Sequence, residues 1–118
     1  MFDKWRLRRR GERCTATVLH VQQAKKIATN DYRKYDFVVD VHPGHGAPAR
    51  IEITDTFTVM GLKPGPGDVV PVIWDSVGQR AVFDLAGDPR YDMKALRAQQ
   101  DAQRQRLLGL PPNGIEET

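Results

Sequence analysis

Five short segments within the first 85 residues are rich in apolar and β-branched residues, and polar residues alternate with them in most of the segments, a pattern typical of strands with one buried face. In the segment YDFVVDV, the side chains of Tyr35, Phe37 and Val39 share one face. Asp36 and Asp40 share the other, because successive side chains of a strand point to opposite sides. The predicted strands are residues 14–21, 35–41, 49–59, 68–75 and 80–85.

Turn residues separate these strands from one another, and no helical pattern intervenes. Such a succession favours antiparallel pairing, and closure of so small a sheet removes its exposed edges. We therefore predict a mainly β fold, a small five- to six-stranded antiparallel, OB-like barrel over residues 13–86. A basic N-terminal segment (1–12) precedes the barrel, and a C-terminal α-helix (87–110) and a disordered tail (111–118) follow it.

The residues GDPRYD open the predicted helix. Asp88 is suited to cap its N-terminus and Pro89 to occupy its first position, while Gly109 ends it. Apolar residues recur at spacings of three and four near both ends of the helix, but glutamine occupies the middle. This pattern fits a helix whose first turns pack on the barrel, and it leaves open a helix that pairs with a partner or a second copy.

The stretch GLKPGPGDVVPVIWD (61–75) joins a glycine- and proline-rich turn to an apolar strand. Its glycines are not a phosphate loop, because the turn opens a strand and lacks the Gly-Lys-Ser/Thr ending that opens a helix. Pro71 cannot donate a hydrogen bond to a neighbouring strand, so an edge or a bulge is expected there. We therefore predict a docking edge for an added strand or peptide at Pro71 and Trp74.

Length and charge define the class of protein. A chain of 118 residues with 40% hydrophobic and 28% charged residues is typical of one soluble domain. Its net charge of +3 is concentrated in residues 1–13, which hold six basic and two acidic residues. Residues 14–90 hold eight basic and nine acidic residues, so the barrel has no net attraction for a polyanion.

The sequence predicts a cytoplasmic protein. No apolar core follows the basic start as in a secretory signal, and no apolar run is long enough to span a membrane. The single cysteine, Cys14, excludes an intramolecular disulfide and fits a reducing compartment. Phe2 and Trp5 beside arginines offer an alternative, peripheral attachment to an anionic membrane through residues 1–10.

No constellation of residues points to catalysis. His42 and His45 lie in a Pro-Gly loop, which gives a metal ion no fixed scaffold. Asp36 and Asp40 are more simply the solvent side of a strand than an acid–base pair. The G-x-S-x-G pattern of a nucleophile elbow is absent. We therefore expect no enzymatic activity, cofactor, metal ion or small-molecule substrate.

Nucleic-acid binding is an alternative function. Five-stranded barrels bind single strands through stacked aromatic rings and a basic groove. A local basic patch for this purpose would consist of Lys25, Lys26, Arg33 and Lys34. The arginine-rich N-terminus would add affinity for phosphates that does not depend on sequence.

The order of motifs GERCTATVLHV, YDFVVDV, IEITDTFTV and GLKPGPGDVVPVIWD followed by AVFDL resembles a group of small β-barrel proteins found mainly in actinobacteria. These in turn are similar to DUF3592-type barrels and NfeD-type OB-like domains. The resemblance covers about residues 11–86 and implies a barrel fold, but no activity and no catalytic residues. KPGPGD departs from it by an extra Gly-Pro in the turn, and WDSVGQR by the lack of an Asp-Pro turn.

We expect the protein to be a non-catalytic binding or assembly module, because its excess charge and spare apolar residues lie in its terminal segments. These segments would contact a protein partner or a second copy of the chain. The residues predicted to make the contacts are Trp5, Arg8, Arg9 and Arg10 in the N-terminal segment, and Leu96, Arg104, Leu107 and Leu108 in the helix.

Overall fold

The computed structural model describes residues 11–24, 31–59 and 61–109. The strands are β1 (Glu12–Gln23), β2 (Tyr32–His42), β3 (Ala49–Thr58), β4 (Val69–Asp75) and β5 (Arg80–Phe83), and the helix is α1 (Met93–Leu107). The chain divides into two compact units, Met1–Leu85 with the strands and Ala86–Thr118 with the helix. The tail predicted at 111–118 lies outside the described residues.

All four strand pairings are antiparallel, and the strand order is β3-β2-β1-β4-β5. The two outer strands, β3 and β5, approach each other, so the sheet curls into a nearly closed barrel. The prediction of a small, mainly β antiparallel barrel followed by a helix is therefore confirmed. Five strands are present in the described residues, the lower of the two predicted numbers.

Strand β1 is shared by both halves of the barrel. Its first part pairs with β4 from Glu12 to Thr17, and it pairs with β2 from Thr15 to Gln23. The register with β2 shifts between Val18 and His20, which is a bulge. A bulge bends its strand and increases the local twist, so β1 can follow two neighbours that diverge.

The alternating residues form the core as predicted. The buried side chains on the inward face are Ala16, Val18, Phe37, Val39, Val41, Ile53, Val70, Val72, Trp74, Ala81 and Phe83. Phe37 is fully buried, and its ring lies edge-on to Phe83 at 4.9 Å and to Phe57 at 5.7 Å between centroids. These contacts join β2 to β3 and β5, the two ends of the sheet.

Strand β4 has a buried residue on its outward face, which simple alternation does not predict. Ile73 and Val82 are cross-strand neighbours, and they point away from the side of Val72 and Trp74. Only 1% of Ile73 and 4% of Val82 is nevertheless exposed. The outward face of β4 is therefore covered at Ile73, whereas Pro71 on the same face is half-buried and Val69 is exposed.

The helix begins four residues later than predicted, because Asp92 is its N-cap and not Asp88. The Asp88 carboxylate accepts hydrogen bonds from the backbone N–H and the side chain of Arg90, which closes a turn. The Asp92 carboxylate accepts from the N–H groups of Lys94 and Ala95, which have no partner within the helix. Gly109, with φ of +75°, follows the end of the helix as predicted.

Replacing Phe37 tests whether its ring holds the barrel together. We expect Phe37→Ala to lower the free energy of unfolding by about 3–5 kcal/mol, measured by urea denaturation, because it leaves a cavity among three strands. Phe37→Leu should lose less and keep the variant measurable if alanine prevents folding. Val77→Ala, at an exposed turn, should change stability by less than about 0.5 kcal/mol, and an equal loss in both would contradict this role.

The cap at Asp92 predicts a pH dependence of the helix. Hydrogen bonds, the largest effect coming from the Gly87 N–H, hold the pKa of Asp92 below its ordinary value of 3.8. The cap therefore stabilises the helix fully above pH 3.8 and stops doing so as the pH falls through the lower pKa of the folded protein.

Circular dichroism at 222 nm during an acid titration measures this effect. Asp92→Asn can cap but cannot titrate, so it should lose less helical signal in acid than the parent chain. Asp92→Ala should lose helical signal already at neutral pH. Identical titrations of the parent and the asparagine variant would show that other carboxylates control the acid transition.

Candidate interaction surfaces

The predicted contact residues of the helix do share one side of it. Successive residues are about 100° apart around a helix, so Leu96, Arg104, Leu107 and Leu108 fall within an arc of about 120°. None of the 15 residues of α1 is buried, and the exposed fractions of Leu107 and Leu108 are 81% and 62%. Leu108, the C-cap, has near-helical backbone angles and so extends the same side.

Arg97 belongs to the same surface, although the sequence analysis did not single it out. It lies seven residues before Arg104, which places the two side chains about 20° apart around the helix. The seven-residue spacing of Arg97 and Arg104 is visible in the sequence and could have identified Arg97 as part of this surface. We call Leu96, Arg97, Arg104, Leu107 and Leu108 the helix face.

The charge around α1 is strongly asymmetric. The helix carries four basic residues and one acidic residue: Lys94, Arg97, Arg104, Arg106 and Asp101. Arg104 and Arg106 in its last turn interact favourably with the partial negative charge at the helix C-terminus. An open hollow of about 350 Å³ lined by Asp101, Arg104, Gln105 and Leu108 lies beside the helix face.

The structure corrects the predicted docking edge at Pro71 and Trp74. Trp74 pairs with Glu12 of β1 on one side and with Ala81 of β5 on the other, and its side chain is buried. Strand β4 is therefore an inner strand with no open edge beside Trp74. The outer strands of the sheet are β3 and β5.

Pro71 occupies the position in β4 where the missing N–H matters least. Its carbonyl oxygen accepts a hydrogen bond from the Asp84 N–H at 3.0 Å. The nitrogen and carbonyl of a strand residue point to the same side, so the Pro71 nitrogen also faces Asp84, just past the end of β5. Pairing is interrupted at Pro71 as predicted, because the proline has no N–H to donate to the Asp84 carbonyl, and β5 ends one residue before that point, at Phe83.

Pro71→Ala tests this geometry. The new N–H would face the Asp84 carbonyl and add one hydrogen bond, while the unfolded chain would become more flexible. These effects oppose each other, so we expect the free energy of unfolding to change by less than about 1 kcal/mol. Hydrogen exchange should show protection of the new amide at position 71, comparable with the amide of Ile73. Exchange at the rate of an unstructured peptide would instead indicate an open edge.

The predicted basic patch is not assembled by the described residues. Arg33 and Lys34 are consecutive in β2 and point to opposite faces of the sheet. Lys25 and Lys26 lie outside the described residues. The side of Lys34 also carries Tyr32, which is exposed at the start of the strand.

Polar groups on the outward face of β1, β2 and β3 bind one another. Arg50 donates two hydrogen bonds to Asp40, at 2.8 and 3.1 Å, and they lower the pKa of that carboxyl. Thr54 donates to Asp36 at 2.7 Å. Asp36 and Asp40 are thus each held by a neighbour on β3, an arrangement suited to pairing strands.

The N-terminal contact residues Trp5, Arg8, Arg9 and Arg10 lie outside the described residues. The chain enters β1 at Glu12, whose carboxylate accepts a hydrogen bond from the Gly44 N–H at 2.8 Å. The last residue of the predicted N-terminal segment therefore belongs to the barrel.

The Cys14 thiol and the potential metal ligands are not arranged for catalysis or metal binding in the described residues. Burial, helped by the nearby Glu12 charge, raises the pKa of the Cys14 thiol, which keeps it in the less nucleophilic protonated form. Within residues 11–24, 31–59 and 61–109, no three His, Cys, Asp or Glu side chains converge to hold a metal ion. A search of the same residues finds no helix with the length and apolar character to cross a membrane.

Comparison with known proteins adds no relative. No protein-family model matches the sequence, and no curated protein or solved structure is significantly similar to it. The resemblance to small actinobacterial barrels therefore stays a prediction. The function has to be argued from the residues and their arrangement.

Proposed function

We propose that this protein is a non-catalytic binding or assembly module in which a β-barrel carries terminal segments that contact a protein partner or a second copy. The observation that carries the proposal is the exposure of Leu107 and Leu108 on the helix face. Burial of one leucine side chain contributes about 1.5–3 kcal/mol. Two exposed leucines at one end of a helix would gain this free energy at an interface, and the neighbouring arginine is a residue type enriched at such contacts.

The barrel supports this division of labour. Thirteen of its apolar side chains are buried in the core, and Asp36 and Asp40 on the outward face are held by their neighbours on β3. A partner that bound there would first have to break these hydrogen bonds. The exposed apolar residues of the barrel, such as Leu19, Val69 and Val77, are spread over different strands and turns. The helix has no fully buried residue, and although Leu96 is half-buried, Leu107 and Leu108 are largely exposed.

The N-terminal residues Trp5, Arg8, Arg9 and Arg10 are a second contact in this proposal, on the strength of their composition alone. Tryptophan and arginine are the residue types that most often dominate binding energy at interfaces. The same segment supports the alternative of attachment to an anionic membrane surface.

Nucleic-acid binding is a second candidate function. Tyr32 and Lys34 share the outward side of β2, so a ring for stacking lies near a cation for a phosphate. Only one cation of the predicted patch is on that side within the described residues, which makes the helix the stronger candidate.

Substitution of the two leucines tests the main proposal. We expect Leu107→Ser combined with Leu108→Ser to abolish co-purification of partner proteins or to remove self-association measured by sedimentation, because it deletes the apolar contact. Deletion of residues 1–10 should weaken the same interactions. Glu12 must be kept, since it is part of β1.

Val77→Ser is the matched control, because Val77 is 95% exposed but lies in the turn between β4 and β5. It should leave every interaction intact, and circular dichroism should show a folded protein in all variants. Unchanged interactions after both the leucine substitutions and the N-terminal deletion would remove the basis of the proposal.

A further inference from the structure

We propose that the helix face binds an apolar groove rimmed by carboxylates on a different protein, and does not pair with a second copy of this chain. The inference rests on the proposed function and names the chemistry of the partner. Its basis is the position of Arg97 and Arg104 relative to the leucines.

The two arginines lie inside the apolar arc of the helix. Arg97 and Arg104 are about 20° apart, with Leu96 and Leu107 on one side and Leu108 on the other. Leu96 and Leu107 are about 16 Å apart along the axis, at 1.5 Å per residue. A partner surface must therefore offer two apolar contacts and, between them, groups that accept hydrogen bonds from guanidinium.

Pairing with a second copy brings like charges together. In a parallel pair Arg97 meets Arg97, and Arg104 meets Arg104. In an antiparallel pair centred between them, Arg97 meets Arg104. Asp101 lies four residues after Arg97 and three before Arg104, so this single carboxylate offsets part of the charge of both. Two arginines against one carboxylate leave an excess positive charge on each copy, so either arrangement is unfavourable.

Carboxylates on a partner would replace this repulsion between arginines by attraction. Arginine binds a carboxylate through two parallel hydrogen bonds, which adds both energy and orientation. An amphipathic helix that lies in a groove is a recurrent mode of recognition, with anchors spaced along one side. The leucines would be the apolar anchors in the groove, and the arginines would fix the position of the helix along it by binding the carboxylates.

A lipid or nucleic-acid surface fits the helix less well. Gln100 and Gln103 interrupt the apolar side, whereas a helix that lies in a bilayer interface needs a continuous apolar side. Phosphates would attract the arginines but would leave Leu107 and Leu108 in water. A protein groove satisfies both kinds of residue.

Arg104 and Arg106 provide a matched pair of substitutions. They lie in the same last turn, so Arg104→Glu and Arg106→Glu change the net charge and the helix dipole equally. They point about 200° apart around the helix, and Arg106 is off the helix face. A difference in peptide affinity between the two variants therefore shows that the helix face binds the peptide, because the net charge of the protein is the same in both.

The probe is a synthetic helical-hairpin peptide, whose two helices form a groove lined by leucine and rimmed by glutamate, titrated against the full chain. A second peptide carries lysine in place of glutamate. We expect the glutamate peptide to bind at least about tenfold more tightly than the lysine peptide, with weakening as salt rises. Arg104→Glu should reduce its affinity about tenfold, and Arg106→Glu by less than about threefold.

Several results would overturn the inference. Absence of binding to the glutamate peptide would do so, as would equal affinity for both peptides or equal effects of Arg104→Glu and Arg106→Glu. A dimer in sedimentation that depends on Leu107 and Leu108 would assign the face to self-pairing. Binding of phosphatidylglycerol vesicles or single-stranded DNA that is lost in Arg104→Glu would assign it to a lipid or a nucleic acid.

The failure of this inference can be told apart from failure of the proposed function. If binding depends on Leu107 and Leu108 but is equally tight for the glutamate and lysine peptides, the inference of an acidic partner is wrong while the proposed function stands. If the leucine substitutions and the deletion of residues 1–10 affect no interaction, the proposed function fails with it.

Discussion

The barrel depends on the packing of Phe37 against Phe57 and Phe83, because these rings come from β2 and from both outer strands, β3 and β5. Hydrogen bonds hold each strand to its neighbours, but β3 and β5 are not neighbours in the strand order. Their approach therefore relies on side chains that meet in the interior. The bulge in β1 allows that meeting, since it bends the strand shared by both halves.

Closure of the barrel explains where the chain keeps free binding capacity. The inward faces are filled by apolar side chains, and Asp36, Asp40 and Arg50 on the outward face are engaged across the strands. The helix is the contrasting element, with exposed leucines and an excess of arginine.

Much of this organisation is readable in the sequence, and the corrections have physical causes. Alternation located most of the strands because one face of each must be buried, and the apolar run after a Gly/Pro-rich turn located β4. Alternation missed the burial of Ile73 and Val82, since it reports only one face. The position of the helix cap was also missed, because Asp88 and Asp92 are both good caps and only their hydrogen-bond partners distinguish them. The helix face was predicted from its leucines, while Arg97 emerged only when angles around the helix were considered.

By itself, the sequence determined the strands, the helix and the apolar residues left over at its end, because period, turn residues and capping chemistry are local properties. Tertiary structure alone decided which strands are outer ones. Pro71 looked like the mark of an open edge, yet β4 lies inside the sheet and its proline faces the end of β5. A missing N–H reveals only that one hydrogen bond is not made there, whereas the presence of neighbouring strands on both sides depends on the tertiary structure.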